Sequence, residues 1–168
     1  SLDYYLKHTF GEKIYKVSLN ASMTCPNRDG LIDTRGCIFC SAGGSGEFAA
    51  DRTLSITEQI TTASAAMKQR KSIGNHYIAY FQSYTNTYAP VERLAQIYAE
   101  ALSHPFVTAL SIGTRPDCFS EEIFSLLSQL SEKTWAYTDS DGVLIYKKKP
   151  VWIELGLQTI HETTARFI

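Results

Sequence analysis

Four short apolar runs of strand length alternate with longer stretches of helical period, and this rhythm narrows the fold more than any other feature of the chain. Ile14–Leu19 (IYKVSL), His76–Gln82 (HYIAYFQ), Phe106–Ile112 (FVTALSI) and Val151–Leu157 (VWIELGL) are the strand candidates, rich in β-branched and aromatic residues. After the first strand, Ser55-x-x-Glu58 offers a capping box, and Ile56, Ile60, Ala63 and Met67 recur at helical spacing behind it. After the second, Pro90 stands where a helix starts, and Val91, Leu94, Ala95, Tyr98 and Leu102 make one apolar face. After the third, Ser120 caps a helix whose first turn holds Glu121 and Glu122, with Ile123, Phe124, Leu127 and Leu130 as its buried stripe. Helices between consecutive strands impose parallel pairing and right-handed crossovers. The predicted class is α/β. Four strands amount to about half of a closed barrel, which needs roughly 200 residues or more, or to a smaller open sheet.

Residues 133–150 break the rhythm. Asp141-Gly142 lies between TWAYTDS and VLIYKKK, which predicts a surface hairpin inserted before the last strand. Lys147, Lys148 and Lys149 form the only basic run and read as a solvated loop. With 44% hydrophobic and 20% charged residues, the chain can form a packed core. A net charge of −1 leaves no basic field over the whole domain to argue for nucleic acid, which leaves a local patch as the open alternative. No apolar run approaches the roughly 20 residues of a membrane span, and SLDYYLKHTFGEK has no signal-peptide core. The expectation is a cytoplasmic protein that does not engage a membrane.

Asn20–Gly46 is a long polar loop carrying Cys25, Cys37 and Cys40, and loops of this length usually have a function. Eleven residues separate Cys25 from Cys37 and two separate Cys37 from Cys40. Such a cluster without a secretory signal reads as a metal or redox site rather than as a disulfide framework. Three thiolates supply three corners of a site. Zinc wants a fourth ligand, from a His or from Cys118. A 4Fe–4S cluster held by three cysteines keeps one iron open, whereas fully ligated clusters transfer electrons. Spacing alone does not choose between them. Gly36, Gly43, Gly44 and Gly46 allow close approach of backbone to a bulky inorganic core. Cys118 stands alone beyond the third strand and reads as a small buried hydrophobe. His8, His76, His104 and His161 show no ligand pattern.

The neighbours of the cysteines carry a resemblance. Cys37-Ile38-Phe39-Cys40 places an aromatic residue just before the last cysteine. NASMTCPNRDG (residues 20–30), Thr114-Arg115-Pro116-Asp117, Glu154-Leu155-Gly156-Leu157-Gln158 and FQSYTNTYAP (residues 81–90) follow in order. Together they resemble the radical S-adenosylmethionine superfamily, in particular a bacterial family similar to the elongator catalytic subunit. The superfamily's CxxxCxxC is kept only at its CxxC end, and the first gap is stretched, as in that branch.

The resemblance implies that residues 1–168 are the N-terminal part of a partial (β/α) TIM-like barrel with parallel strands. Cys25, Cys37 and Cys40 would bind three irons of a 4Fe–4S cluster, the fourth chelating S-adenosyl-L-methionine. Reductive cleavage would yield a 5′-deoxyadenosyl radical. Phe39, Gln82, Ser83, Thr85, Arg115, Glu154 and Gln158 would contact the cofactor. Arg115 would fork onto a carboxylate, either the cofactor's or that of Asp117 or Glu154, and Gln158 would share a strand face with Glu154. Gln82-Ser83-Tyr84-Thr85 departs from the glycine-rich GGE-type segment usual at this point. Implied partners are a reductant such as flavodoxin or ferredoxin, and RNA or a nucleotide as substrate. Alternatives from other classes are a zinc-binding interaction module and an electron-transfer iron–sulfur protein. The superfamily's partial barrel usually has six strands. Four therefore predict an open strand edge, an apolar face with Phe167 and Ile168 after the last strand, and self-association of the isolated chain.

Overall fold

The computed structural model describes residues 1–41, 49–70 and 74–167. The predicted loop glycines Gly43, Gly44 and Gly46, the Phe167 side chain and Ile168 lie outside the described residues. Four parallel strands form the central sheet: β1 (Tyr15–Leu19), β2 (Tyr77–Phe81), β3 (Val107–Thr114) and β6 (Val151–Leu155), side by side in chain order. Three helices lie between them, α2 (Ile56–Arg70), α3 (Val91–Ser103) and α4 (Glu121–Glu132), as the alternation predicts.

α2 and α4 start on their predicted side-chain caps, whereas α3 follows Pro90, which makes no side-chain cap bond. Ser55 N donates to Glu58 Oε2 at 2.8 Å and Glu58 N to Ser55 Oγ at 3.2 Å, a reciprocal capping box. Ile123 N donates to Ser120 Oγ at 3.3 Å. The side chains alternate across the sheet. Val17, Leu19, Tyr77, Ala79, Phe81, Leu110 and Ile112 join the core built with Ile60, Leu94, Tyr98, Leu102 and Leu127. Each fully buried large apolar side chain there contributes about 1.5–3 kcal/mol. Phe124, predicted in the α4 stripe, is instead exposed and stacks on Phe119 with centroids 4.9 Å apart. The narrow stripe of Ile123, Leu127 and Leu130 already fills the contact with the sheet, so the next position faces outward.

The opposite face of the sheet is partly covered by a helix that the strand and helix rhythm does not reveal, α1 (Leu2–Phe10). Its one buried residue, Leu6, packs with Ile14, Ile78 and Ala109. Ser1 caps it, and Gly11 at φ 75° closes it with a bond from its N–H to Lys7 O.

The hairpin over 133–150 is present, as β4 (Thr134–Thr138) paired antiparallel with β5 (Leu144–Lys148). Asp139 Oδ1 accepts from the N–H groups of Asp141 and Val143, and Gly142 supplies the left-handed turn residue at φ 78°. The lysine run is not a solvated loop: Lys147 and Lys148 belong to β5 and Lys149 follows it. Lys147 lies over the Tyr137 ring at 3.3 Å, and Lys148 pairs with Glu132. Lys149 is fully buried and donates to Leu102 O at 2.7 Å and His104 O at 2.9 Å. Carbonyls at the end of a helix lack intrahelical donors, and a lysine arriving from the next element supplies them. Burial, helped by neighbouring Lys147, pulls the Lys149 pKa down to about 7. No helix among the described residues is long and apolar enough to cross a membrane.

Candidate functional site

A cavity of about 580 Å³ opens at the C-terminal end of the parallel strands. Ligand sites of open parallel sheets concentrate at this end. Its walls come from the cysteine loop, the segment after β2, the Thr114–Asp117 turn after β3, and the segment after β6. Cys25, Cys37 and Cys40 all line it, as do Phe39, Gln82, Thr85, Arg115, Glu154 and Gln158. The tertiary structure thus brings together residues spread over more than 130 positions of sequence.

The cysteine loop is folded by its own polar groups. Arg28 N donates to Cys25 O at 2.8 Å, and Cys40 N to Cys37 O at 3.0 Å. Arg28 Nη2 reaches Cys40 O at 3.1 Å and Ser41 O at 2.6 Å, which ties the end of the loop to its beginning. Gly36 is favoured here by its backbone, and the Arg28 guanidinium packs directly against it. Its φ is 75°, and a Cβ would stand 2.8 Å from Arg28 Nε.

The loop is joined to the Thr114–Asp117 turn through one arginine. Arg115 forks onto Asp117, with Nε to Oδ1 at 2.9 Å and Nη2 to Oδ2 at 2.7 Å. Its Nη1 donates to Asn27 Oδ1 at 2.7 Å and lies 3.9 Å from Cys25 Sγ. Asn27 Nδ2 in turn donates to Cys37 Sγ at 3.1 Å. Hydrogen bonding to Asp117 holds the Arg115 pKa above its ordinary value, and the same contact holds the Asp117 carboxyl below its own. Desolvation raises the Cys40 thiol, as does the charge of Cys37.

Among the described residues, no group of three or more His, Cys, Asp or Glu side chains is arranged to hold a metal ion. The three cysteines share one cavity, and the Cys40 thiol feels the charges of both Cys37 and Cys25. Cys118 is buried and does not line this cavity; its Sγ lies 3.8 Å from Asp117 Oδ1, and its thiol is pushed up to about 11 by burial and by Asp117. His76 contacts Glu12 through Nδ1 and Thr138 O through Nε2, and its ring stacks on Tyr137 of the hairpin.

The cavity is floored by a polar network across three strands. Glu154 on β6 pairs with Lys16 on β1 and accepts from Ser111 on β3. Lys16 also lies over the Tyr80 ring at 4.1 Å. A carboxylate in a strand is costly unless paired, and this one is paired twice. Burial raises the Glu154 pKa, but the bonds from Lys16 and Ser111 outweigh it and the net direction is down.

Two expected contacts differ from the sequence reading. Ser83 is fully buried and does not line the cavity. It keeps the parity of Tyr77, Ala79 and Phe81, which turn toward the helices, so the oxygens offered at this strand end are those of Gln82 and Thr85. Gln158 is not two pleats along the strand from Glu154. β6 ends at Leu155, and Gln158 adopts a left-handed φ of 63° in the turn that follows. It reaches the cavity because the chain bends there.

Two residues that sequence reasoning missed organise the site. Asn27 has no periodic or spacing signal; only its place two residues after Cys25 marked it. Asn86 Nδ2 donates to Phe81 O at 3.1 Å and Gly113 O at 2.9 Å, which locks the ends of β2 and β3 beneath the cavity. Gly113 fits there because a Cβ would stand 3.1 Å from Phe81 O.

The chain is similar along nearly its whole length to three curated proteins. It is 42% identical over 168 residues to the uncharacterized protein YtqA of Bacillus subtilis (strain 168), an alignment covering all of this chain and 47% of that protein. It is 35% identical over 159 residues to protein YhcC of Escherichia coli (strain K12), covering 95% of this chain and 45% of that protein. It is 33% identical over 167 residues to the uncharacterized protein MJ0486 of Methanocaldococcus jannaschii, covering 98% and 45%. No protein-family model matches the chain, and no solved structure matches it. The chain spans about half the length of the curated relatives it matches.

Proposed function

We propose that this chain is the N-terminal part of a partial (β/α) barrel of a radical S-adenosylmethionine enzyme, with Cys25, Cys37 and Cys40 as the ligands of a 4Fe–4S cluster. The observation that carries the reading is the meeting of all three loop cysteines with the Arg115, Glu154 and Gln158 segments in one cavity at the strand C-termini. The donor set fits the group. It consists of three soft thiols, which favour iron–sulfur cores or zinc over hard cations.

When bound, the cluster and S-adenosyl-L-methionine supply one-electron cleavage of the sulfonium S–C5′ bond and a radical that removes hydrogen from a substrate. The chain's own residues hold, orient and shield. The three cysteines act as thiolates. Arg28 keeps Cys40 near the rest of the loop. Phe39 walls the cavity with an apolar ring. Glu154, fixed by Lys16 and Ser111, presents a carboxylate to amino or ribose groups of the cofactor. Gln82, Thr85 and Gln158 offer amide and hydroxyl groups on the same walls. A flavodoxin or ferredoxin would provide the electron. The substrate class implied by the resemblance, RNA or a nucleotide, is tested by mass spectrometry of tRNA nucleosides from a strain lacking the gene; an unchanged profile removes it.

The cluster is tested by anaerobic reconstitution with iron and sulfide, followed by assay for 5′-deoxyadenosine. Single Cys→Ala changes at 25, 37 and 40 should each abolish the broad visible absorption and the cleavage. Cys118→Ala should leave both largely intact. Loss of the cluster in Cys118→Ala as complete as in Cys37→Ala would mean a fully ligated site and no radical chemistry. Stoichiometric zinc with no iron uptake would likewise end the proposal.

A further inference from the structure

The strongest unexplained arrangement in the molecule is the unbroken chain of side chains from Asp117 through Arg115 and Asn27 to Cys37. We propose that it is an electrostatic relay in which Asn27 donates to the Cys37 sulfur and sets how readily the group bound there accepts an electron. This rests on the function proposed above. Arg115 and Asp117 are positioning residues in it, and Arg115 is not the cofactor's carboxylate clamp.

The geometry leaves little freedom. Asp117 takes Nε and Nη2 of Arg115 in a two-point fork, which fixes the plane of the guanidinium. The remaining nitrogen, Nη1, points at the Asn27 amide at 2.7 Å. A guanidinium only donates, so the amide must turn its oxygen toward Arg115. Its NH₂ group is thereby directed to Cys37 Sγ, 3.1 Å away. The same Nη1 lies 3.9 Å from Cys25 Sγ, so the guanidinium faces one of the three sulfurs and the amide it orients donates to another. Because the fork is already closed on Asp117, a ligand carboxylate would have to displace that partner to be gripped at two points.

Hydrogen bonds to sulfur ligands and local net charge are among the main determinants of iron–sulfur reduction potentials. Outer partners of metal ligands also commonly change affinity 10- to 100-fold when removed. A donor on Cys37 and a cation near Cys25 both stabilise the reduced, more negative state. The relay therefore raises the potential and eases the entry of the electron.

The test uses midpoint potentials of the reconstituted protein, read from visible or EPR spectra against applied potential, without any turnover. Asn27→Asp is the principal variant. It is isosteric and keeps an acceptor for Arg115, so the loop stays tied, but it replaces the N–H facing sulfur by a carboxylate oxygen. The expected result is wild-type iron content with a reduced-to-oxidised ratio at least roughly tenfold lower at fixed potential, a shift of about 59 mV to the negative for a one-electron couple. Arg115→Met should shift in the same direction, and Arg115→Lys should recover part of that shift. An Asn27→Asp protein with full iron content and an unchanged or more positive potential would overturn the relay and leave the cluster site standing. A wild-type protein that takes up no iron–sulfur cluster would overturn the site itself, and the relay with it.

Discussion

The two faces of the parallel sheet are made by alternate residues of the same strands, yet they differ in nearly every physical respect. On the face covered by α2, α3 and α4, Leu19, Phe81, Leu110 and Ile112 are fully buried among apolar neighbours. On the other face, α1 covers only the end where Ile78 and Ala109 lie, and the remainder carries Lys16, Tyr80, Ser111 and Glu154 beneath the cavity. One face excludes water and holds the fold together; the other keeps charges in fixed places at the cost of stability. A period of two lets one strand serve both ends, because neighbouring residues never compete for the same surroundings.

The adjacent pair Leu110 and Ser111 breaks the comparison most directly. Leu110→Ala should cost about 2–5 kcal/mol in urea-induced unfolding, by lost transfer energy and the cavity left behind. Ser111→Ala should cost about 1.5 kcal/mol, the low end for a hydrogen bond to a charged group because Glu154 is half-exposed, while disturbing Glu154 at the site. Equal losses at the two positions would mean that the polar face is as structural as the apolar one.

Lys149 is the exception that sharpens the contrast, because it is a cation on the apolar side. Its folded pKa is lowered to about 7 from 10.5. Between those values the unfolded chain binds more protons than the folded one, so stability should rise with pH through that window, by at most about 1.4 kcal/mol per pH unit. Below about pH 7 both states are protonated and the dependence stops. Lys149→Met should flatten this rise in thermal melts taken from pH 7 to 10, although it leaves Leu102 O and His104 O without their donor.

The smallest effect belongs to the polar face itself. The Glu154 carboxyl is lowered from 4.5 by Lys16 and Ser111, so the stability it adds is present above about pH 4.5 and is lost as pH falls through its folded pKa. The pair is half-exposed, so water screens much of its attraction and it contributes little. Glu154→Gln should therefore reduce the acid sensitivity slightly and leave the neutral-pH melting point nearly unchanged. A large drop at neutral pH would show that the network holds the sheet together rather than serving the site.

Much of this was legible from residue pattern. The capping box at Ser55 and Glu58, the Ser120 cap, the stripe through Leu94, Tyr98 and Leu102, and the Asp141-Gly142 turn are local, and each acts within a few residues of itself. The failures are of another kind. α1 is hard to see because Tyr4 and Tyr5 are exposed aromatics and only Leu6 is buried, so no apolar stripe marks it. Lys149 reads as solvated beside Lys147 and Lys148, since nothing local says that the end of α3 lies over it. Gln158 leaves the expected strand face because a turn intervenes.

The sequence by itself determined the parallel α/β order, the hairpin, and which cysteines belong together, because backbone propensity, capping and side-chain period are properties of neighbouring residues. The tertiary structure alone decided that Ser83 turns inward and that Lys149 closes a helix. It also placed Glu154 against Lys16, 138 positions away, and Asn27 between Arg115 and Cys37. Those contacts join distant segments, and their geometry exists only once the packed sheet has brought the strand ends to one side and burial has left each polar group needing a partner.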